Sequence, residues 1–364
     1  MAEDQTSQNL TVAVRVRPLS ATEQKRKVAK VVQSSGNRVI VTHGPGGRGP
    51  DRTYNYDRVF SPYAAQEHVF ESLVSPVVDE VLRGFNCTVF AYGPTGTGKT
   101  HTMEGTAEDA GLAPRCAKAL FARLEKQKTK AGEADFQIKA SCLEIYNENM
   151  YDLLSTMPGA TPQELTVSEA KGGPAVKGLL APVVTSEEEA LRLLFEAEAN
   201  RAVAPHQLNA HSSRSHVLYF FEVSRRSRVG AGGTTTQRLT LVDLAGSERL
   251  KKAKGGGADA RSEKQLRLQK EAMAINNSLS FLKQVVAALS NRPRGHVPHR
   301  SSRLTSVLKE ALGGNCRTTL VANIMLEDDH SEETLSTLRF AARMQSVANV
   351  AVANKHEEIS AADA

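Results

Sequence analysis

Residues 93–100 read GPTGTGKT, a complete GxxxxGK[ST] pattern, and the chemistry open to it is the holding of a nucleoside polyphosphate. Glycines let successive backbone N–H groups turn inward on phosphate oxygens, and the start of the following helix adds its positive end. Lys99 can then reach the β and γ phosphates, and the Thr100 hydroxyl can ligate magnesium. Residues 238–246 (RLTLVDLAG) form an apolar run ending in Asp243, where an enzyme of this kind keeps the acid that holds magnesium through water. Gly246 stands three residues further on, able to offer its N–H to a γ-phosphate and to move when that group leaves. Residues 209–216 (NAHSSRSH) supply hydroxyls for the γ-phosphate and the metal, and an arginine able to pair with an acid on another loop. Singly, these are a glycine turn, a strand-capping Asp and a hydrophilic turn. Together they make a site that can hydrolyse a nucleotide.

Such a site needs a sheet beneath it. Residues 87–92 (CTVFAY) form a continuous apolar run directly before the glycine pattern, as expected of a strand buried on both faces. Residues 10–17 (LTVAVRVR) alternate and stop at Pro18, predicting a core strand. Further strands are expected at 38–43, 53–60, 136–146, 216–224 and 238–244, and helices at 65–83, 187–200, 271–289 and 331–343. Alternation of this kind predicts an α/β fold, a central mostly parallel twisted β-sheet flanked by helices on both faces. Segments 156–173, 225–233 and 250–270 are polar and rich in glycine or charge, which reads as surface loops of one domain.

Bulk properties exclude more than they identify. The 364 residues can build one large core. An excess of 46 Lys and Arg over 40 Asp and Glu suits an acidic partner without choosing among polymers, nucleic acid and membrane. The four cysteines (Cys87, Cys116, Cys142, Cys316) are widely spaced, against a zinc site or a disulfide framework and in favour of a reducing cytosol. The first residues carry no secretory pattern and no apolar stretch is long enough to span a bilayer, so a soluble, unexported protein is expected.

GPTGTGKT, NAHSSRSH and LVDLAGSE, in that order, resemble the phosphate loop, first switch and second switch of the kinesin motor domain. RVRP (15–18), LEIYNE (143–148), HVPHRSSRLT (296–305) and LGGNC (312–316) agree, so the resemblance covers nearly the whole chain. The fold it implies is a kinesin-type P-loop NTPase. YDLLSTMPG, LLFEAEANR, INNSLSFLKQ and EETLSTLRFAARM resemble family nine, the group associated with cilia and flagella. The stretch 56–105 is equally similar to a mitotic kinesin of family five.

The resemblance implies an ATP hydrolase using ATP and Mg2+. Arg15, Pro18 and His101 would border the adenine, with His101 stacking on it, while Gly93, Pro94, Thr95, Gly96, Thr97, Gly98, Lys99 and Thr100 hold the phosphates. Ser213 would join Thr100 and Asp243 around the metal, Ser212 would contact the γ-phosphate, and Gly246 would close on it. Arg214 and Glu248 would form an ion pair, with Glu248 relaying the proton from the attacking water. No NKxD element is present, which favours ATP over GTP. Pro94 stands where many kinesins have glutamine; it removes one N–H and stiffens the loop, so altered nucleotide affinity or release is expected.

The implied partner is the microtubule, with no nucleic acid and no membrane. Segment 250–270 carries seven basic residues against two acidic ones. Lys251, Lys252, Lys254, Lys264 and Lys270 there, with Arg300, Arg303 and Lys309, are expected to face the acidic tubulin surface. Asn277 and Ser301 replace a lysine and an aspartate common in kinesins. The domain reading is a flexible segment at 1–9, a motor domain at 10–345, a neck linker at 346–358 and a disordered tail at 359–364. Val347, Val350 and Val352 are expected to be buried when the linker docks, and Asn354 to act as its latch. There is no heptad run, so dimerisation is expected through a stalk missing from this chain. A motor with its linker at the C-terminal end resembles plus-end-directed kinesins. The expected setting is the cytoplasm and cytoskeleton, extending to the ciliary axoneme. The rival reading is a non-motile axonemal protein that uses ATP only as a conformational switch; intact Lys99, Thr100, Ser213, Asp243, Gly246 and Glu248 argue for hydrolysis.

Overall fold

Alternate residues of single strands enter opposite cores. In the strand Thr11–Val16, Val12, Val14 and Val16 join one buried cluster and Ala13 the other. In Cys87–Tyr92 the same division separates Phe90 and Tyr92 from Val89 and Ala91. A sheet apolar on both faces must be covered on both. One face receives residues 66–82 and the helices Leu112–Ala131 and Glu187–Val203; the other receives Glu263–Ser290, Arg303–Val307 and Ser331–Gln345. The computed structural model describes residues 7–42, 50–131, 134–155, 165–170, 173–203, 214–227, 233–248, 263–291 and 295–354.

The sheet runs, edge to edge, Val183–Val184, Ala134–Tyr146, His216–Ser227, Thr234–Asp243, Cys87–Tyr92, Arg317–Ile324, Thr11–Val16 and Arg58–Phe60. From Thr234–Asp243 to Arg58–Phe60 the pairing is parallel; towards the other edge it is antiparallel. The sheet is therefore mixed, and its parallel half carries the glycine-rich loop.

Several elements depart from expectation. The helix predicted at 65–83 runs through 66–82 but widens into a π-helical turn at Phe70–Val74. Pro76, which has no N–H to give, sits at the start of the next α-helical stretch. The predicted loop 156–173 contains the strand Thr166–Ala170, paired with Gly173–Lys177. The strand expected to end at 224 continues to Ser227. The long helix starts at Glu263 rather than at 271, because EKQLRLQK is built of strong helix formers whose charge had suggested a loop. Lys264 and Lys270 thus stand on helical backbone.

The C-terminal strand Ala348–Asn349 pairs antiparallel with Gln8–Asn9. The chain then follows the domain, with Val350 N–H donating to the Gly314 carbonyl (3.2 Å) and Asn354 N–H to that of Gly84 (2.9 Å). Val347 is buried as expected, whereas Val350 is 39% exposed. Pairing with Gln8–Asn9 turns Asn349 inward instead, to 3% exposure.

Candidate functional site

The parallel register brings the carboxyl ends of four strands together. Asp243 lies beside Ala91, and Asn323 beside Arg15. Ligands of open α/β sheets bind at this end. The glycine-rich loop leaves Cys87–Tyr92 here and enters the helix Lys99–Met103 through Gly98, whose φ of +86° is left-handed, a conformation that costs glycine little. Lys99 is buried and its ammonium donates to the Pro94 carbonyl at 2.9 Å. Burial lowers its pKa, opposed by Asp243 and Glu248. The Thr97 hydroxyl donates to the same carbonyl at 2.7 Å, so Pro94 organises the loop through the one backbone polar group it retains.

The Thr100 hydroxyl donates to Asp243 Oδ2 at 2.6 Å. Asp243 is fully buried, and its Oδ1 has no hydrogen-bond partner among the described residues. Burial raises the carboxyl pKa, opposed by Arg201 and Lys99. An orphaned carboxylate oxygen beside a threonine hydroxyl is a donor set that suits a small hard cation retaining waters, so these residues fit magnesium.

The segment after Asp243 is tied to the loop. Ser247 N–H donates to the Gly93 carbonyl at 3.1 Å. Glu248 Oε2 accepts from Thr95 N–H at 2.8 Å, and Oε1 from the Thr95 hydroxyl. A Cβ on Gly246 would collide with the Thr95 hydroxyl and the Glu248 carboxylate, which is why glycine stands there. Both carboxylate oxygens of Glu248 thus accept from Thr95. Arg214 is half-buried just before the strand His216–Ser227. Ser212, Ser213, Lys251, Lys252 and Lys254 lie outside the described residues, as do the side chains of Lys264 and Lys270.

Arg15 is buried and donates to Gln66 Oε1 (2.6 Å) and to the Thr102 hydroxyl (3.0 Å). Gln66 in turn donates to the His101 carbonyl. The His101 ring is held below the ordinary imidazole value by partial burial and by the Arg15 charge. Pro18 is exposed and lines a separate groove with Leu19, Pro62 and Tyr63. Of the basic residues, Arg300 and Lys309 share a carboxylate, Glu169, and Arg303 donates its backbone N–H to Glu148.

Two groups escaped the sequence reading. Arg201 reaches Glu104 (3.1 Å), Glu144 (3.8 Å) and Asp243 (3.9 Å), while Tyr219 donates to Glu104 at 2.6 Å. Burial pushes the Glu104 carboxyl up to about 7 even though Arg201 opposes it. A charge at the end of the helix that the loop enters and another on the distant helix Glu187–Val203 thus set the field around Asp243, and no local pattern announces them.

The second is His216, last residue of NAHSSRSH. Its Nδ1 accepts from Ala245 N–H at 3.0 Å, and its Nε2 lies 2.9 Å from Ser278 Oγ on the long helix. With Nδ1 accepting, the neutral ring carries its proton on Nε2. Burial, then the charges of Lys99 and Arg201, push its pKa down to about 3 from 6.5. The unfolded chain therefore takes up this proton first, so stability is full above pH 6.5 and falls as pH drops towards 3. At pH 5.5 the expected loss from this group is ~1.4 kcal/mol. Thermal unfolding at pH 7.5 and 5.5 should show that much extra acid loss in the parent relative to His216→Gln; parallel profiles would rule the assignment out.

Comparisons with known proteins identify what the chain is similar to. The kinesin motor domain family model matches residues 15–347. Kinesin-like protein KIF9 of Mus musculus is 43% identical over 290 residues, covering 78% of this chain and 35% of that protein. Kinesin-like protein KLP1 of Chlamydomonas reinhardtii is 40% identical over 347 residues, covering 93% of this chain and 43% of that protein. This chain thus spans well under half the length of these relatives. A structure titled as a KIF14 dimer with AMP-PNP in complex with a microtubule superposes with a TM-score of 0.84 at 36% identity, covering 96% of this chain and 97% of that one.

Proposed function

The chain belongs to the kinesin motor domain family, and from that premise we propose that it is a microtubule-stimulated ATPase that turns Mg-ATP hydrolysis into movement of the switch segments and the C-terminal linker. The observation that carries this reading is the double attachment of residues 244–248. Ser247 and Glu248 are bonded to the phosphate loop, while Ala245 is bonded through His216 to Ser278 on the long helix. A change at the γ-phosphate position therefore has a physical route to a distant surface.

In this mechanism Lys99 and the loop amides bind the phosphates, and Thr100, Asp243 and Ser213 hold magnesium, which supplies charge neutralisation when bound. Gly246 N–H and Ser212 meet the γ-phosphate. Glu248 leaves Thr95 to pair with Arg214 and to accept the proton of the attacking water. Phosphoryl transfer asks mainly for positioning and electrostatic stabilisation, which a buried lysine and a sequestered carboxylate provide. Residues 10–345 are the motor unit and 346–358 the linker. The basic residues of 250–270, with Arg300, Arg303 and Lys309, are the docking face for the acidic microtubule.

Plus-end direction is the reading favoured by the position of the linker, and an axonemal setting by the resemblance to family nine. Dimerisation is assigned to a stalk in the full-length protein. Turnover measured alone, with microtubules and with nucleic acid should rise only with microtubules. Equal turnover in all three conditions would remove the coupling and the motor reading with it.

A further inference from the structure

The hairpin formed by Thr166–Ala170 and Gly173–Lys177 was legible only as a loop, and nothing in the mechanism uses it. It packs against the helix Arg303–Val307. A Cβ on Gly173 would sit 2.6 Å from Glu310 Cγ, and the Pro174 carbonyl accepts from Arg238 of the central sheet at 3.2 Å. The hairpin is thereby held against residues 303–310 and against the sheet. It presents Glu169, opposite Pro174 in the register, to two cations. Glu169 Oε1 accepts from Arg300 Nη2 at 3.3 Å and from Lys309 Nζ at 2.9 Å.

All three side chains are well exposed, and exposed ion pairs contribute little to folding. The arrangement has a different consequence: it places one negative charge on two of the cations assigned to the docking face. We propose that Glu169 is an internal competitor for the microtubule, occupying Arg300 and Lys309 so that an acidic polymer must displace it to engage them. This rests on the reading of that face as microtubule-binding. The two cations hold the Glu169 carboxyl below its ordinary range, so it competes as an anion at neutral pH.

The test is a cycle read as the microtubule concentration for half-maximal ATPase and by cosedimentation at low salt, where such contacts are least screened. Glu169→Gln should lower that concentration about threefold. Arg300→Ala with Lys309→Ala should raise it, and in that background Glu169→Gln should change it by less than about 1.5-fold. A Glu169→Gln variant without effect, beside an Arg300/Lys309 variant that binds weakly, overturns the competitor while sparing the docking face. A threefold gain that survives in the Arg300/Lys309 background would mean plain repulsion between Glu169 and the polymer, and also overturns it. An Arg300/Lys309 variant that binds normally overturns both the face and the competitor.

Discussion

Glu248→Ala is expected to bind ATP and magnesium and yet to turn over at least ~100-fold more slowly, the range that a positioned proton acceptor contributes. Binding should persist because Lys99, Thr100 and Asp243 are placed by contacts independent of Glu248: a Pro94 carbonyl, a strand register and a threonine hydroxyl. The tie between Ser247 and Gly93 also remains. What the substitution removes is the carboxylate that bridges to Thr95 and, in the proposed cycle, the group that moves to Arg214 and takes the proton. Steady-state turnover paired with a direct nucleotide-binding measurement checks this. Near-normal turnover would sink the role given to Glu248, and lost binding would show that the Thr95 contact shapes the loop itself.

In the proposed cycle, Asn349→Ala should uncouple turnover from docking of the C-terminal linker. The Asn349 side chain is buried and has four hydrogen-bond partners. Oδ1 accepts from Gly313 N–H at 2.7 Å, while the two Nδ2 hydrogens are shared among the carbonyls of Cys316 (2.7 Å) and Ala311 (3.1 Å) and the Thr318 hydroxyl (3.2 Å). Alanine would leave buried groups unpaired at ~1–3 kcal/mol each. The linker avoids that cost by leaving the domain, so the docked population should fall roughly tenfold or more. Gliding velocity should drop with it, while turnover and the melting transition change far less. Unchanged velocity would place the anchor elsewhere, with Asn354 the next residue to test, since its side-chain amide donates to the Thr236 carbonyl at 2.7 Å.

The contrast between Asn349 and Val350 shows what a sequence can carry. Apolar character pointed to the valines, but which residues face inward depends on pairing with Gln8–Asn9, at the other end of the chain. The phosphate loop and Asp243 were legible because their requirements are local: glycines at fixed spacing and an acid ending an apolar run. Arg201 and Glu104 were not, since the two meet only when a helix and a loop converge on one strand end. The helix Leu112–Ala131 drew no prediction, although Leu112, Cys116, Leu120 and Leu124 recur every four residues and all are buried. Small alanines and a run of lysines dilute that stripe. The early start at Glu263 was hidden for the opposite reason, a charged sequence that also favours helix.

The C-terminal segment is fastened in series: Leu10 to Val347, the two-residue ladder, Val350 to Gly314, Val352 to Asn315, Asn354 to Gly84. A load that peels residue 354 away from the domain strains the outermost bond first and passes to the next only after that one yields. Detachment under tension should therefore proceed like a seam unpicked stitch by stitch, with the buried Asn349 as the knot that gives way near the end.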